Sequence, residues 1–215
     1  MTLTLHYHPL SSYCWKSLVA LYETGAPFTA KLVDLSNPAE RAALCALWPI
    51  GKFPVLQDDA RQRTVPESTT IIEYLAQYYP GHSQLIPSDP DDARDVRLRD
   101  RFFDLYLHNN MQKIVGDKLR PADQRDPYGV AQARAQIELA YGMVDDQMQA
   151  SRWAIGEPFT LADCSACPAL FYASKVVPLG DHHATARAYL DRLIARPSFA
   201  RVLAEAEPYF KMFPG

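Results

Sequence analysis

The sequence predicts an α/β domain followed by an all-helical domain, and two observations carry this prediction. Strand and helix patterns alternate over roughly the first 80 residues, whereas only helical patterns follow residue 91. A proline-containing stretch, YYPGHSQLIPSDPDDARD, lies between the two halves and is typical of a linker. The sequence therefore predicts domains at residues 1–80 and 92–215, joined by residues 81–91.

The first domain alternates strands and helices in a defined order. TLTLHY has the alternation of a strand, and the helical pattern after it stops at Gly25, a residue that commonly ends helices. PFTAKLVDL is again strand-like, and Pro38 predicts the start of a short helix. PVLQDDARQRTV predicts a hairpin, and residues 68–79 an amphipathic helix. The predicted order is βαβ, then α, then ββα.

The second domain shows helical patterns only. We expect its helices at about residues 91–116, 128–151, 161–176, 183–195 and 198–207.

Composition narrows the class of protein. With 215 residues, 48% hydrophobic and 22% charged, the chain resembles ordinary soluble globular proteins. A net charge of −3 gives no reason to expect nucleic acid or an anionic membrane as a partner. A secretion signal and a membrane span are not expected, and four cysteines do not form a disulfide framework. The sequence therefore predicts a reduced, cytoplasmic setting.

The stretch SSYC, at the predicted junction of the first strand and helix, is the first candidate site motif. The start of a helix has unpaired N–H groups and a partial positive charge, so it favours an anion. Ser11 or Ser12 could also be an ordinary N-cap, since serine serves well there. The residues alone leave both interpretations open.

Two further motifs precede and begin the last helix of the first domain. In GKFPVL, Pro54 could simply begin a strand, or it could be a cis-proline that turns the main chain of Phe53 towards a ligand. In PESTTIIEYL, Ser68 begins a helix and Glu67 precedes it. That pair could bind the carboxylate and ammonium groups of a ligand, or it could be an ordinary helix start.

Taken together and in this order, SSYC, GKFPVL and PESTTIIEYL resemble the glutathione transferase family over nearly the whole chain. FTLADCSACPAL resembles the capping motif of that family's helical domain. The resemblance implies a thioredoxin-like N-terminal domain, an all-α C-terminal domain and a homodimer. It also implies glutathione as co-substrate and a second, electrophilic substrate, with no metal.

The resemblance also implies roles for individual residues. Ser11 takes the position of the catalytic serine or cysteine, and Ser12 is the alternative by one position. Phe53, which precedes Pro54, would bind the cysteinyl main chain of glutathione through its own backbone. In two respects the chain departs from redox relatives: serine follows Ser11 where they have proline, and no basic residue follows Cys14 directly.

The same resemblance implies how the two ends of glutathione are bound. Glu67 and Ser68 would hold the γ-glutamyl end, and Lys52 would reach the glycyl carboxylate.

A serine at this position favours conjugation over disulfide chemistry. Lowering the pKa of a thiol, ordinarily about 8.5, by two units takes about 2.7 kcal/mol. A hydroxyl hydrogen bond to a charged sulfur contributes roughly 1.5–3 kcal/mol, and a helix N-terminus about 0.3–1 kcal/mol. Serine can therefore keep the sulfur of glutathione ionised without itself acting as nucleophile. Tyr13 and Cys14 are expected to pack inward.

Other polar residues and cysteines are interpreted as structural and not as catalytic or metal-binding. In FTLADCSACPAL, Thr160 and Asp163 have the spacing of a capping box, and Cys164 and Cys167 are expected to be core residues. No acidic or sulfur ligands are expected to cluster with either of two histidine pairs, His6–His8 and His182–His183. The sequence therefore predicts no metal site.

The helix over FFDLYLHNNMQKIV carries a stripe that is either core or part of a pocket. By the resemblance, this helix faces the glutathione site, so Tyr106 and Asn110 are candidate residues of an electrophile pocket. The C-terminal YFKMF would cover that pocket.

The leading hypothesis is a glutathione transferase that conjugates a small apolar electrophile. One alternative is a protein that keeps the transferase fold for interactions without catalysis. Another is a glutathione-dependent isomerase or lyase.

Overall fold

A four-stranded mixed sheet forms the centre of the first domain. The computed structural model describes residues 3–214. The sheet has the order β2-β1-β3-β4; β1 is parallel to β2 and antiparallel to β3, and β3 is antiparallel to β4. The strands are β1 (Leu3–Tyr7), β2 (Phe28–Leu32), β3 (Val55–Asp58) and β4 (Arg63–Pro66).

Helices cover the sheet on both sides: α1 (Ser12–Thr24), α2 (Pro38–Leu47) and α3 (Ser68–Tyr78). Successive residues of a strand face opposite sides of a sheet. Leu56 accordingly joins the large core with α1 and α3, whereas Val55 packs with Leu44 of α2 in a separate cluster. This is the α/β thioredoxin-like arrangement that the resemblance predicted.

The second domain is helical, as predicted. Its α-helices are α4 (Pro90–Phe102), α5 (Asn109–Lys118), α6 (Pro127–Met148), α7 (Leu161–Val176), α8 (Ala184–Ala195) and α9 (Pro197–Ala206). The segment predicted as one helix over 91–116 is interrupted by a π-helix, Phe103–His108, which joins α4 to α5. Short 3₁₀ turns lie at Ala122–Gln124, Asp181–His183 and Glu207–Met212.

The start of α7 confirms the predicted capping box. The side chain of Asp163 accepts from the main-chain N–H of Thr160 at 2.8 Å, and the Thr160 side chain binds the third helical N–H in return. Cys164 and Cys167 are fully buried, as expected of core residues. All four cysteines of the chain lie within residues 3–214 and are free thiols.

The two domains share a continuous hydrophobic core. Helix α1 packs against both α7 and α9, and Trp15 at its centre contacts the rings of Tyr172 and Phe199. The N-terminus of α1 is thereby fixed against the helical domain. The boundaries at 80 and 92 remain a prediction. Between residues 3 and 214, no helix has the combination of length and apolar content that is needed to cross a bilayer.

Candidate functional site

Ser11 is the N-cap of α1. Its Oγ accepts a hydrogen bond from the main-chain N–H of Cys14 at 3.3 Å, which is the usual role of serine at a helix start. Its own N–H donates to the carbonyl of His8 at 3.0 Å. The cap uses Ser11 Oγ as an acceptor, and the same side chain also contacts the buried Cys14 thiol, so a bound group could take the hydroxyl proton in place of that thiol. The capping and the anion-donating interpretations are therefore compatible.

Ser12 is committed to a different partner. It is the first residue of α1, is buried, and its Oγ makes a very short hydrogen bond with Nε2 of His108. Burial lowers the pKa of His108 to about 3, with a further contribution from the charge of Lys16, so the imidazole is neutral. The amide nitrogen of Gln112 lies 3.4 Å from the same Nε2. Because that amide nitrogen can only donate, Nε2 is an acceptor, and the Ser12 hydroxyl donates to it.

His108 is the functional candidate that sequence reasoning missed. Asp104 and His108 are polar residues four positions apart within an apolar stripe, and this spacing was the available signal. His108 belongs to the π-helix, whose widened turn is a common feature of functional sites.

The sequence predicted that Tyr13 and Cys14 both pack inward, and only Cys14 does so. Cys14 is fully buried, and burial raises the pKa of its thiol to about 12. Tyr13 is half-buried, stacks on His108 with 4.1 Å between ring centroids, and donates to Asn109 Oδ1 at 3.2 Å. Its side chain also lines the cavity that is described next.

One cavity of about 190 Å³ brings the three sequence motifs together. The peptide bond between Phe53 and Pro54 is cis, as the resemblance predicted. Phe53 lies outside the β3 ladder, and its ring stacks on His8 with centroids 5.8 Å apart. The cavity is lined by Tyr13, Trp48, Lys52, Phe53, Pro54, Glu67 and Ser68.

Glu67 has a backbone conformation that is unusual for a residue other than glycine. Its φ is 68° and its ψ is 122°, a strained combination of the kind that occurs at ligand sites. Glu67 is also the N-cap of α3, yet its side chain makes no capping hydrogen bond with any of residues 3–214. The first-turn N–H groups of α3 are thus left for another acceptor, and the buried Ser68 lies at their edge.

A second cavity, of about 380 Å³, lies at the serines. The two serines form part of its polar wall, and the helices α5 and α7 and the C-terminal segment form its apolar walls. Its lining residues are Leu10, Ser11, Ser12, Met111, Gln112, Val115, Gly116, Leu119, Tyr172, Met212, Phe213 and Pro214. The end of the YFKMF segment therefore lies on this cavity, at Met212 and Phe213.

Tyr106 and Asn110 do not reach the serine cavity. They line a separate depression with Leu105 and Gln136. Tyr106 is about half exposed at 48%, and the Asn110 side chain donates to the Tyr106 carbonyl at 2.8 Å. The sequence-based choice of these two residues for a pocket at the serines is thus not supported by their positions, and Met111, Val115 and Tyr172 occupy that place.

A buried ionic cluster joins α1, α3 and the helical domain beside these cavities. Lys16 Nζ lies 2.5 Å from Asp100 Oδ1, 2.8 Å from Asp104 Oδ2 and 2.8 Å from Thr69 Oγ1. Burial acts to raise the pKa of both carboxyls. It prevails at Asp104, whereas at Asp100 the charge of Lys16 and several hydrogen bonds prevail and lower the pKa. The cluster fixes Thr69, the residue after Ser68, relative to α1.

The histidine pairs differ from the sequence expectation in one case. His6 contacts Gln57, and no acid approaches it among the contacts that residues 3–214 provide. His182 and His183, by contrast, lie beside carboxylates of α6, Glu138 and Asp145. The expectation that no acidic group clusters with this pair was wrong, because both acids lie far away in the sequence.

A thioredoxin-like domain that sets a cis-proline and a helix start against a helical domain defines the glutathione transferase class. Sequence profiles agree: the glutathione S-transferase N-terminal domain matches residues 5–83, and the glutathione S-transferase C-terminal domain matches residues 107–197. The chain belongs to the glutathione S-transferase family.

Individual relatives are distant. Glutathione S-transferase-like protein LUC7 of Fusarium sp is 30% identical over 144 residues, which are 66% of this chain and 62% of that protein. FtsZ-localized protein A of Caulobacter vibrioides is 27% identical over 219 residues, covering 95% and 92% of the two chains. The crystal structure of a glutathione S-transferase from Methylobacillus flagellatus, solved with glutathione bound, superposes with a TM-score of 0.85 at 23% identity, covering 93% of this chain and 98% of that one.

Proposed function

We propose that the protein is a glutathione transferase in which the Ser11 hydroxyl stabilises the thiolate of bound glutathione. The thiol proton passes to solvent, and the thiolate attacks a small apolar electrophile to form a carbon–sulfur bond; the electrophile either releases its leaving group as an anion or, if the sulfur adds to a double bond, takes up a proton from solvent. One observation carries the proposal: Ser11 lies at the N-terminus of α1 on the wall of an apolar cavity, and the helix cap uses only a lone pair of its oxygen. The cavity that holds the other two motifs lies beyond Tyr13, two residues further along the same helix start.

The geometry favours Ser11 over Ser12 as the donor. The hydroxyl of Ser12 donates to a buried, neutral His108, so using it for a thiolate would leave that imidazole nitrogen only its longer contact with Gln112. Ser11 keeps its capping bond when it donates, because that bond uses only a lone pair of its oxygen, and it gives up only a contact with the buried Cys14 side chain. We therefore assign the positioning of the helix start to Ser12 and His108.

The 190 Å³ cavity supplies the groups that glutathione needs. The γ-glutamyl carboxylate would accept from the uncapped first turn of α3 at Ser68, and its ammonium would meet Glu67. Phe53, before Pro54, would pair with the cysteinyl main chain, and Lys52 would bind the glycyl carboxylate.

The walls of the 380 Å³ cavity indicate the class of electrophile. Met111, Val115, Leu119 and Phe213 offer mainly apolar surface, which favours a small apolar molecule. Met212 and Phe213, near the C-terminus, would cover the bound electrophile.

Two other functions remain alternatives. One alternative is a non-catalytic interaction protein. It is supported by the similarity to FtsZ-localized protein A, because the name of that relative states a location and not a reaction. A glutathione-dependent isomerase or lyase would use the same thiolate. Retention on immobilised glutathione and a panel of electrophiles, each assayed with and without glutathione, distinguish these alternatives from conjugation.

The proposal is tested by comparing Ser11→Ala with Ser12→Ala. In Ser11→Ala we expect the pKa of enzyme-bound glutathione, followed by thiolate absorbance, to rise by about 1–2 units, since one unit is about 1.4 kcal/mol. Conjugation near neutral pH should fall roughly ten- to hundredfold, while glutathione binding changes less, because the helix N-terminus and other contacts remain.

Ser12→Ala serves as the matched control. It should change the free energy of unfolding, because His108 loses its contact with Ser12. The pKa of bound glutathione should stay close to its value in the parent protein. If Ser12→Ala raises that pKa and Ser11→Ala does not, the donor is the neighbouring serine. If neither does, the helix N–H groups stabilise the thiolate and the serine hypothesis is wrong.

The assembly that the resemblance implies and the location that the composition predicts are part of the same proposal. We expect a cytoplasmic homodimer. Exposed apolar side chains on α4, the π-helix and α6 support an interface there: Leu98, Leu105, Tyr106, Leu139 and Met143.

A further inference from the structure

Two histidines and a glutamate converge on one point of the helical domain, away from the three site motifs. His182 and His183 end the short turn before α8, and Glu138 comes from α6, 45 residues before His183. One ligand atom from each of the three lies within 4.8 Å of the others. Glu138 Oε2 is 3.2 Å from His183 Nε2 and 3.8 Å from His182 Nε2.

The partners of His183 show which of its nitrogens faces Glu138. Asp145 Oδ1 already accepts from the N–H of Ala186 at 2.6 Å, while Asp145 Oδ2 lies 2.7 Å from His183 Nδ1. A carboxylate can only accept, so Nδ1 carries a proton and donates it. Nε2 is then the ring nitrogen that faces the carboxylate of Glu138. A carboxylate oxygen and a ring nitrogen that face each other at this distance can share a proton or a metal ion.

We propose that Glu138, His182 and His183 form a binding site for a divalent transition-metal ion, with Zn²⁺ as the best-suited ion. Imidazole nitrogen together with a carboxylate suits Zn²⁺ and its neighbours in the first row, and does not suit Mg²⁺ or Ca²⁺, which prefer oxygen. Three protein ligands leave a fourth position to water, since Glu138 and His182 are partly exposed.

The distances fit such an ion. Tetrahedral Zn²⁺ with bonds of about 2.0–2.1 Å separates its ligand atoms by about 3.3 Å. The distance of 3.2 Å between His183 Nε2 and Glu138 Oε2 is already of this size. His182 is 72% exposed and can close its slightly longer 3.8 Å separation by a small side-chain rotation.

The surroundings hold the buried ligand in place. Asp145 binds the second nitrogen of His183, which is the carboxylate–histidine–metal arrangement that fixes the tautomer and the ring orientation in metal sites. Tyr141 contacts the edge of the same ring, with centroids 5.5 Å apart. Gly180 leaves room for the other imidazole, because a Cβ there would lie 2.6 Å from His182 Cε1.

A bound ion would link α6 to the start of α8. Any ligand that binds the folded chain but not the unfolded chain stabilises the folded chain by mass action. The site therefore has a readout that does not depend on catalysis: the melting temperature should rise with Zn²⁺.

The test uses the untagged full-length chain, freed of metal by a chelator and titrated with Zn²⁺ by calorimetry. Half-exposed Cys45 is replaced by serine in every protein compared, so that its thiol does not contribute. We expect one Zn²⁺ per chain and a higher melting temperature, with no such effect of Mg²⁺. His182→Ala and Glu138→Gln should each weaken binding by at least about tenfold, the scale that loss of even an outer-shell partner reaches.

His82→Ala is the matched control, because it removes an exposed histidine that lies outside the cluster. It should bind Zn²⁺ as the parent does. Co²⁺ should give the visible absorption of a four- or five-coordinate ion in the parent, and His182→Ala should abolish it. The absence of saturable Zn²⁺ binding in the parent, or equal binding in the parent, His182→Ala and Glu138→Gln, would overturn the proposal.

Discussion

His108 is a neutral imidazole held in the protein interior, where its Nε2 accepts from Ser12 and its ring supports Tyr13. Burial lowers its pKa to about 3, whereas an unfolded histidine has a pKa of about 6.5. Between these two values the unfolded chain binds a proton that the folded chain does not bind. The stability that this neutral histidine contributes is therefore complete above about pH 6.5 and is lost as the pH falls towards 3.

The corresponding prediction compares the protein with His108→Gln. The free energy of unfolding is measured with urea at pH 7 and at pH 5. From pH 7 to pH 5 it should fall by about 2 kcal/mol more in the parent than in the variant, as the linkage relation gives for this pKa shift. Using the difference removes the contributions of other titrating groups that both proteins share. His82→Gln, an exposed histidine, should behave as the parent does, and equal losses in parent and His108→Gln would show that His108 titrates normally.

At the scale of elements, the π-helix Phe103–His108 determines which residues of this segment face the serine cavity. A regular helix has 3.6 residues per turn and would place Tyr106 and Asn110, four positions apart, on the same face. A π-turn inserts one residue, here through the bond from the N–H of Asn109 to the carbonyl of Asp104, and turns later residues by about 100°. Tyr106 consequently faces outward and His108 faces Ser12. Periodicity does not reveal where such an insertion occurs.

The capping box of α7 was predictable, because it depends on residues three positions apart. Asp163 is fully buried and accepts from the N–H groups of Thr160 and Ala154, each at 2.8 Å, and from the Tyr189 hydroxyl at 2.7 Å. The local pair with Thr160 follows from sequence spacing. The bonds to Ala154 and Tyr189 depend on how the loop and α8 pack, so the sequence did not indicate them.

We expect Asp163→Asn to lower the free energy of unfolding by about 3 kcal/mol or more, since an amide leaves at least one buried donor without an acceptor. Chemical denaturation measures the change. Asn37→Ala removes the exposed N-cap of α2 and should cost only about 1 kcal/mol. If Asp163→Asn lowers the free energy of unfolding by no more than Asn37→Ala does, burial adds nothing to the stabilising effect of the α7 cap.

At the scale of the whole molecule, the candidate site combines segments that the sequence identifies with contacts that it does not. The order of SSYC, GKFPVL and PESTTIIEYL predicted the fold and the cavity of the first domain. The pairing of Ser12 with His108 joins residues 96 positions apart, and that of Lys16 with Asp104 joins residues 88 apart. Such long-range pairs depend on the docking of the two domains, which local patterns do not encode.

The buried cluster around Lys16 contributes to that docking, because one ammonium on α1 compensates two carboxylates of the helical domain. Lys16 and Asp100 are each 1% exposed, and Asp104 is 6% exposed. Arg101, about half exposed at 52%, is a further cation beside both acids. Removing Lys16 would therefore leave buried negative charge that Arg101 alone compensates from the solvent side.

We predict that Lys16→Met lowers the free energy of unfolding by about 3–5 kcal/mol, the usual cost of removing one partner of a buried ion pair. Asp104→Asn should be much less costly on the Lys16→Met background than in the parent, because it then removes an uncompensated charge. A double-mutant cycle by urea unfolding should give a coupling energy of at least about 1 kcal/mol. Arg97→Met, which breaks the exposed pair with Glu73 between α3 and α4, should cost at most about 1 kcal/mol. Additive effects of Lys16→Met and Asp104→Asn would contradict the view that this cluster acts as one unit across the domain interface.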